Sequence, residues 1–416
     1  MKTTLHTLIL LLGLSSSIPS INSQDDLDFP PILDSDDIAY FSSTHDIDGL
    51  HWALSNVFQR SKRNTNVSQI RYNDLPPILV SRGGGDTYTA QYKLEMDLEQ
   101  AHYLVNQHLL SPEEEAHFIQ HVIHTYEKVL ENIPSIEKLK RSEGLYPFGI
   151  SDYEAGIASV YNKALHLTDF DVLKDEQGNL MPLLNENFDA NSIEEEWYSE
   201  SNRKGIAVID DILSPLALQR IRQLLYESTV FFQTKMPLKF GGYVGAYIDD
   251  GLYDKILLQL AFELNKALPN IMDGHPLKYL WAYKYDSRYT GINTHADQAA
   301  VNVNIWLTPE DANLNKDNGG LVVFTAKPPK DWDFDKYNKD TEKVMKEILE
   351  PTKFANVTVP YRENRAVIFD SALFHHTDDF EFKEGYENRR INLTILYGDM
   401  KMGEGTSENN AANNEL

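Results

Sequence analysis

The chain has 416 residues, 42% hydrophobic and 11% aromatic, which gives a sizeable core and two or three domains and rules out wholesale disorder. Acidic residues outnumber basic ones 63 to 38, a formal charge of −25, so nucleic acid and anionic membrane surfaces are disfavoured as partners. The absence of cysteine excludes disulfide scaffolds, thiolate zinc sites, iron–sulfur clusters and cysteine nucleophiles.

Residues 1–23 read as a secretory signal peptide. Lys2 supplies the positive end, Leu5 to Leu14 the short apolar run, and Ser15 to Ser23 the small-residue stretch before cleavage. The run is too short for a spanning helix and no later segment approaches one, so no membrane span is expected after its removal. The expected localisation is the secretory pathway, in the ER lumen or outside the cell. Asn66-Val67-Ser68 and Asn356-Val357-Thr358 are glycosylation sequons; Asn392-Leu393-Thr394 is discounted because it falls in a predicted core strand.

Residues 24–48 carry eight aspartates and neither lysine nor arginine, and 73–90 combines Pro-Pro with a glycine triplet. Residues 24–90 are therefore expected to be an acidic flexible arm and linker; the aspartates of 24–48 lack the glycine and distal glutamate at the spacing of an EF-hand loop. Residues 91–200 read as mainly helical. Ser111-Pro112-Glu113-Glu114 is a helix start, and Phe118, Val122, Tyr126 and Val129 follow at helical spacing. Tyr153–Leu167 is expected as another helix. His121 and His124 lie three apart but lack carboxylates at ligand spacing, and read as surface or interhelical groups. The region is expected to be a helical cap packed on the next domain.

From residue 201 the pattern changes. Gly205–Asp210 is a short strand, and Ser214-Pro215 caps a helix running to about Glu227. Then come predicted strands at Tyr279–Tyr285, Ala300–Leu307, Leu321–Thr325, Val357–Val359, Ala366–Asp370 and Ile391–Tyr397, each short and bounded by turn residues. The fold class expected is α+β: a jelly-roll barrel (a double-stranded β-helix) over 201–402, preceded by the helical region and followed by a disordered tail at 403–416. The segment Lys327–Phe354, with Trp332, Phe334 and Tyr337, interrupts the strands as a lid or, preferably, as packing against the barrel. Loops 228–250 and 327–356 are expected to set specificity.

The chemistry concentrates in two places. In Thr294-His295-Ala296-Asp297 an extended backbone sends His295 and Asp297 to the same side, where they can share a metal. Far along the chain, Phe374-His375-His376-Thr377 follows a predicted strand and offers a second histidine. Two histidines and a carboxylate leave open positions, the ligand set of non-haem Fe(II) oxygenases. Arg389-Arg390 heads the last strand. An arginine inside a barrel needs an anionic partner, and a dicarboxylate provides one through a bidentate contact. Arg390 shares strand parity with Asn392 and Thr394, Arg389 with Ile391 and Leu393, so the polar stripe selects Arg390. Asn302, Asn304 and Trp306 offer a similar face with strand-end packing as the alternative. Tyr285 could give a hydroxyl to a carboxylate or be a core tyrosine.

The ordered set of His295-x-Asp297, Gly319-Gly320-Leu321, the strand Ala366–Asp370, His375 and an Arg-headed final strand resembles the 2-oxoglutarate- and Fe(II)-dependent dioxygenase superfamily, in its prolyl-hydroxylase-like branch. The resemblance covers residues 205–400, about half the chain. It implies that His295, Asp297 and His375 bind Fe(II), and that Arg390, helped by Tyr285, holds 2-oxoglutarate. It also implies that O₂ is consumed with release of succinate and CO₂ as a substrate is hydroxylated. The family pattern favours His375 over His376, which the strand alternation sends the opposite way. Retention of Asp297 speaks against a halogenase. The substrate is left open, a small molecule or a peptide or protein, as is the oligomeric state. The alternatives are a non-catalytic, cupin-like jelly-roll binding protein and a zinc hydrolase; hydrolysis needs no dicarboxylate clamp.

Overall fold

The computed structural model describes residues 36–59, 86–199 and 204–400. The expected signal peptide, the Asn66 sequon and the tail lie outside the described residues. Among the described residues twelve strands run in chain order: β1 (Tyr88–Ala90), β2 (Leu145–Pro147), β3 (Ile206–Ile209), β4 (Gln233–Thr234), β5 (Tyr243–Tyr247), β6 (Leu277–Tyr285), β7 (Val301–Trp306), β8 (Leu321–Phe324), β9 (Asn356–Val359), β10 (Ala366–Asp370), β11 (His375–Thr377) and β12 (Ile391–Tyr397). A 7-stranded sheet has the order β3-β10-β7-β12-β6-β5-β4, a 3-stranded sheet the order β11-β8-β9, and every pairing in both is antiparallel. The chain is thus of mixed α+β architecture.

The two-residue period of the strands divides the large sheet into two unlike faces. On β12, Ile391, Leu393, Ile395 and Tyr397 join a core with Val301, Val303 and Ile305 of β7 and with Leu280 and Ala282 of β6. The helices Pro215–Glu227 and Lys255–Ala267 cover this face with Ile221, Leu224, Leu257, Leu260 and Leu264. Ser214 caps the first by accepting from the Ala217 amide, with Pro215 beginning the helix. On the opposite face, Trp306, Val367 and Phe369 pack against Leu321, Val323 and Val359, which brings the small sheet across the large one.

The helical region shares this core. One continuous cluster includes Leu54, Tyr92 and Ile193 together with the strand residues Leu393 and Ile395. The Ser111–Glu114 capping box forms, and Phe118, Val122, Tyr126 and Val129 are buried in a second cluster as their spacing predicts. Three expectations are corrected. Residues 36–59, placed in the flexible arm, form the helices Asp36–Thr44 and Ile47–Gln59, whose Leu50, Leu54 and Phe58 are buried. The helix expected at Tyr153–Leu167 is broken into Ile150–Glu154 and Ile157–Val160 by Gly156, whose φ of +99° leaves the right-handed region. Finally, 228–250 is not one loop. Tyr243–Tyr247 is a five-residue strand whose alternation of tyrosine with Val244 and Ala246 is the signal that reveals it.

Arg389 clamps the helical region to the sheet. Its guanidinium takes both carboxylate oxygens of Glu99, at 2.6 and 2.8 Å, and reaches Asp286 at 3.2 Å. Glu99 belongs to the helix Gln91–Asn106. Arg389→Met is expected to lower the free energy of unfolding by about 1–3 kcal/mol, since it removes bidentate charge-assisted hydrogen bonds and strands Glu99, while Asp286 keeps Arg288. Urea unfolding with an unchanged m-value would carry the effect; an unshifted midpoint would count against the clamp.

Candidate metal centre and its pocket

His295 lies on an extended segment that pairs with the start of β11. The His295 amide donates to the His375 carbonyl at 3.0 Å, the His375 amide donates to the His295 carbonyl at 2.8 Å, and the Asp297 amide donates to the Ser371 carbonyl at 3.0 Å. This pairing sends His295 and Asp297 to one side and turns His375 to that same side. One donor atom from each of the three lies within 4.8 Å of the others. Nε2 of His295 is 3.6 Å from Oδ1 of Asp297, and Nε2 of His375 is 3.5 Å from Oδ2.

The ring orientations are fixed from behind. Nδ1 of His295 donates to the Asn293 carbonyl at 2.8 Å and Nδ1 of His375 to the Leu373 carbonyl at 2.9 Å. A carbonyl can only accept, so in each neutral ring the proton sits on Nδ1 and the Nε2 lone pair faces Asp297. Burial and the neighbouring His375 ring push the His295 pKa down to about 4, which keeps it neutral at physiological pH. Burial alone would raise the Asp297 carboxyl, but its polar neighbours, Asn302 among them, outweigh it and hold the group below its ordinary value. Asn302 does this by donating to Oδ2 at 2.7 Å. Two imidazoles turned with Nε2 inward and a carboxylate, each braced from behind, form a donor set suited to a divalent cation.

His376 takes the other side of β11. Its ring lies 5.6 Å from that of Phe324, and its Nδ1 pairs with the Thr377 carbonyl at 2.8 Å. His375 is the histidine that the geometry brings to Asp297.

Arg390 is 2% exposed and faces the same cavity. Among the described residues no carboxylate pairs with it. Nε donates to the Gly319 carbonyl at 2.8 Å and Nη2 to the Gly320 carbonyl at 3.1 Å, while the guanidinium lies 4.5 Å from the Tyr285 ring centroid. The glycines are required here. Gly319 has a φ of +91°, and a Cβ on Gly320 would stand 1.9 Å from the Val359 carbonyl oxygen. Burial raises the Tyr285 pKa, with Arg390 and Thr377 acting the other way, so its hydroxyl remains protonated.

The cavity has a volume of about 300 Å³. Its floor is polar: Asn392 and Asn304 both donate to Thr394 Oγ1, at 3.0 and 3.1 Å. The side-chain oxygens of Asn302 and Asn304 are buried with no hydrogen-bond partner among the described residues, as atoms that would receive donors from a bound molecule would be. Asn392 and Thr394 are buried, at 1% and 3% exposed, so the sequon they form is closed to modification. Trp306 takes its packing alternative, stacked on Tyr361 at 5.6 Å.

Several site residues escaped the sequence reading. Trp281, Tyr283 and Tyr243 line an aromatic wall, legible in retrospect from the alternation of Trp281, Tyr283 and Tyr285 along one strand. Lys235 and Asn338 also reach the cavity. Asn338 accepts from the Ala296 amide at 3.0 Å and donates to the Ala296 carbonyl at 2.9 Å, so a single amide pins the residue between His295 and Asp297. No local pattern announces that contact. It belongs to the helix Phe334–Lys339, while Trp332 and Tyr337 nearby are buried with Ala296, Phe324 and Phe374. The 327–354 segment thus packs on the small sheet and also supports the centre.

No protein-family model matches the chain, and no curated protein matches it. Solved structures similar to it include the non-haem alpha-ketoglutarate-dependent epimerase SnoN from nogalamycin biosynthesis, at 13% identity over 50% of this chain and 83% of that one, with a TM-score of 0.37. A prolyl-4-hydroxylase from Pseudomonas putida is similar at 13% identity over 50% of this chain and 98% of its own, with a TM-score of 0.32. HygX from Streptomyces hygroscopicus, solved with nickel, 2-oxoglutarate and hygromycin B, is similar at 12% identity over 50% of this chain and 87% of that chain, with a TM-score of 0.33.

Equilibrium dialysis against Co(II) tests the donor set. The wild-type chain is expected to retain one ion and Asp297→Ala none, while Asn302→Ala should weaken binding about 10- to 100-fold by releasing the carboxylate from its brace. Equal retention by all three would disconnect these residues from metal.

Proposed function

We propose that this protein is an Fe(II)- and 2-oxoglutarate-dependent dioxygenase that hydroxylates a small molecule or a peptide or protein substrate. The observation that carries the reading is the pairing, in one cavity, of the His295–Asp297–His375 donor set with the buried Arg390, which lacks a carboxylate partner among the described residues. Burying an unpaired guanidinium is costly, and an anionic ligand that enters the cavity offsets that cost. The facing sheets, with the cavity between them, support the double-stranded β-helix reading.

In this reading His295, Asp297 and His375 hold Fe(II). Arg390 and Tyr285 receive the distal carboxylate of 2-oxoglutarate. Bound iron would supply the oxidative chemistry: O₂ would convert 2-oxoglutarate to succinate and CO₂, with one oxygen atom entering succinate and the other a substrate C–H, making C–OH. The chain's own contribution is positioning. Backbone carbonyls fix both imidazoles, Asn302 orients Asp297, and the Gly319 and Gly320 carbonyls aim Arg390. The aromatic wall keeps one side of the cavity dry, where charge-assisted contacts are strongest. The leader-like residues 1–23 support a setting in the secretory pathway.

Mixing the protein with Fe(II) and 2-oxoglutarate under nitrogen should give the visible charge-transfer band of the chelate, and Asp297→Ala should give none. Arg390→Ala is expected to raise the dissociation constant of 2-oxoglutarate about tenfold to a hundredfold and to leave Co(II) retention intact. A folded wild-type chain that shows no band would sink the proposal.

A further inference from the structure

The cavity is cationic in a protein whose overall charge is −25. Among its described lining residues, Asp297 is the one carboxylate, against Lys235, Lys239 and Arg390. Arg390 is accounted for by the co-substrate's carboxylate, and Lys239 is exposed, its ammonium 4.9 Å from the Phe240 ring. Lys235 is different. It is 7% exposed, yet among the described residues its ammonium has neither a carboxylate nor a hydrogen-bond acceptor. A lysine so buried is ordinarily paired.

Strand register shows where Lys235 stands. Its amide donates to the Tyr243 carbonyl at 3.1 Å; Tyr243 is registered opposite Tyr285, and the Tyr285 amide donates to the Arg390 carbonyl at 3.0 Å. Lys235, Tyr243, Tyr285 and Arg390 therefore form one row across four adjacent backbone segments. At the usual strand spacing, Lys235 is roughly 14 Å from Arg390 along the sheet. The rings of Tyr243 and Tyr285, 5.4 Å apart, lie between the two cations. Two separated cations on one cavity wall fit two separate anions, with an aromatic surface between them.

We propose that the molecule oxidised by this protein carries an anionic group, a carboxylate or a phosphate, that seats on Lys235, with its organic body against Tyr243 and Tyr283. This rests on the dioxygenase reading for what happens to the molecule; the anion seat itself rests only on Lys235 and its row. The flat π-faces accept an apolar or aromatic body, and the partly desolvated ammonium discriminates a charged group from its neutral isostere.

The test uses the full chain with saturating Mn(II) and 2-oxoglutarate under nitrogen, titrated calorimetrically with phenylacetate, phenyl phosphate and the neutral phenylacetamide. At least one anion should bind about tenfold or more tightly than the amide, and the better of the two identifies the chemistry of the group. Lys235→Gln should erase that preference without changing Mn(II) or 2-oxoglutarate binding, and Lys235→Arg should keep it. Where the glutamine variant does not fold, the wild-type preference must fall with added salt and survive in Lys235→Arg. Equal binding of acid and amide overturns the proposal. So does a preference that persists in Lys235→Gln, or one lost in Arg390→Gln alone, which would place the anion on the co-substrate's arginine. If 2-oxoglutarate fails to bind but a Lys235-dependent preference remains, the dioxygenase reading falls and the anion seat stands.

Discussion

A β-strand sends alternate side chains to opposite faces, and the large sheet uses that alternation to hold a polar cavity against a dry helical core. Along β12 the residues Ile391, Leu393 and Ile395 meet the helices, while Asn392 and Thr394 meet the cavity. A slip of one residue would exchange the two sets, bury asparagine in hydrocarbon and turn isoleucine onto the cavity. The apolar face therefore pins the register, and the register in turn aims every polar group of the site. The neighbouring arginines make the point most plainly: Arg389 ties the sheet to Glu99 on a helix, and Arg390 enters the cavity.

The same alternation leaves a buried guanidinium to be managed. Carbonyls of Gly319 and Gly320 accept from Arg390 and the Tyr285 ring lies beneath it, so its geometry is set without neutralising its charge. A salt bridge inside the protein would have occupied the donors. Carbonyls and an aromatic face orient the cation yet leave its field available. The metal centre follows a similar logic: the backbone takes the Nδ1 protons and leaves both Nε2 atoms to Asp297 and whatever binds among them.

Elements outside the sheets complete the site. Asn338, from the segment that interrupts the strands, supplies Ala296 with the two hydrogen bonds a neighbouring strand would have made. That keeps the short His295–Asp297 segment extended although it lies beyond the regular ladder. The helical region shares its apolar core with the covered face of the large sheet, which leaves the opposite face to the chemistry.

Much of this could be read from the residues in order. Local physics carries the caps at Ser111 and Ser214, the strands β6 to β10 and β12 to within a few residues, the shared side of His295 and Asp297, and the parity that separates Arg390 from Arg389. Each depends on neighbours within a few positions, where spacing and backbone geometry act directly. The helix break at Gly156, the ordered helices within 36–59 and the strand Tyr243–Tyr247, which pairs with both β4 and β6, needed partners distant in sequence. The amide of Asn338 on Ala296, the glycine carbonyls on Arg390 and the row that runs from Lys235 to Arg390 arise from pairing between segments far apart in the chain. The sequence by itself determined which side chains can share a face, because that is set by backbone period; only the tertiary structure decided which faces meet, because that is set by the register and packing of distant strands.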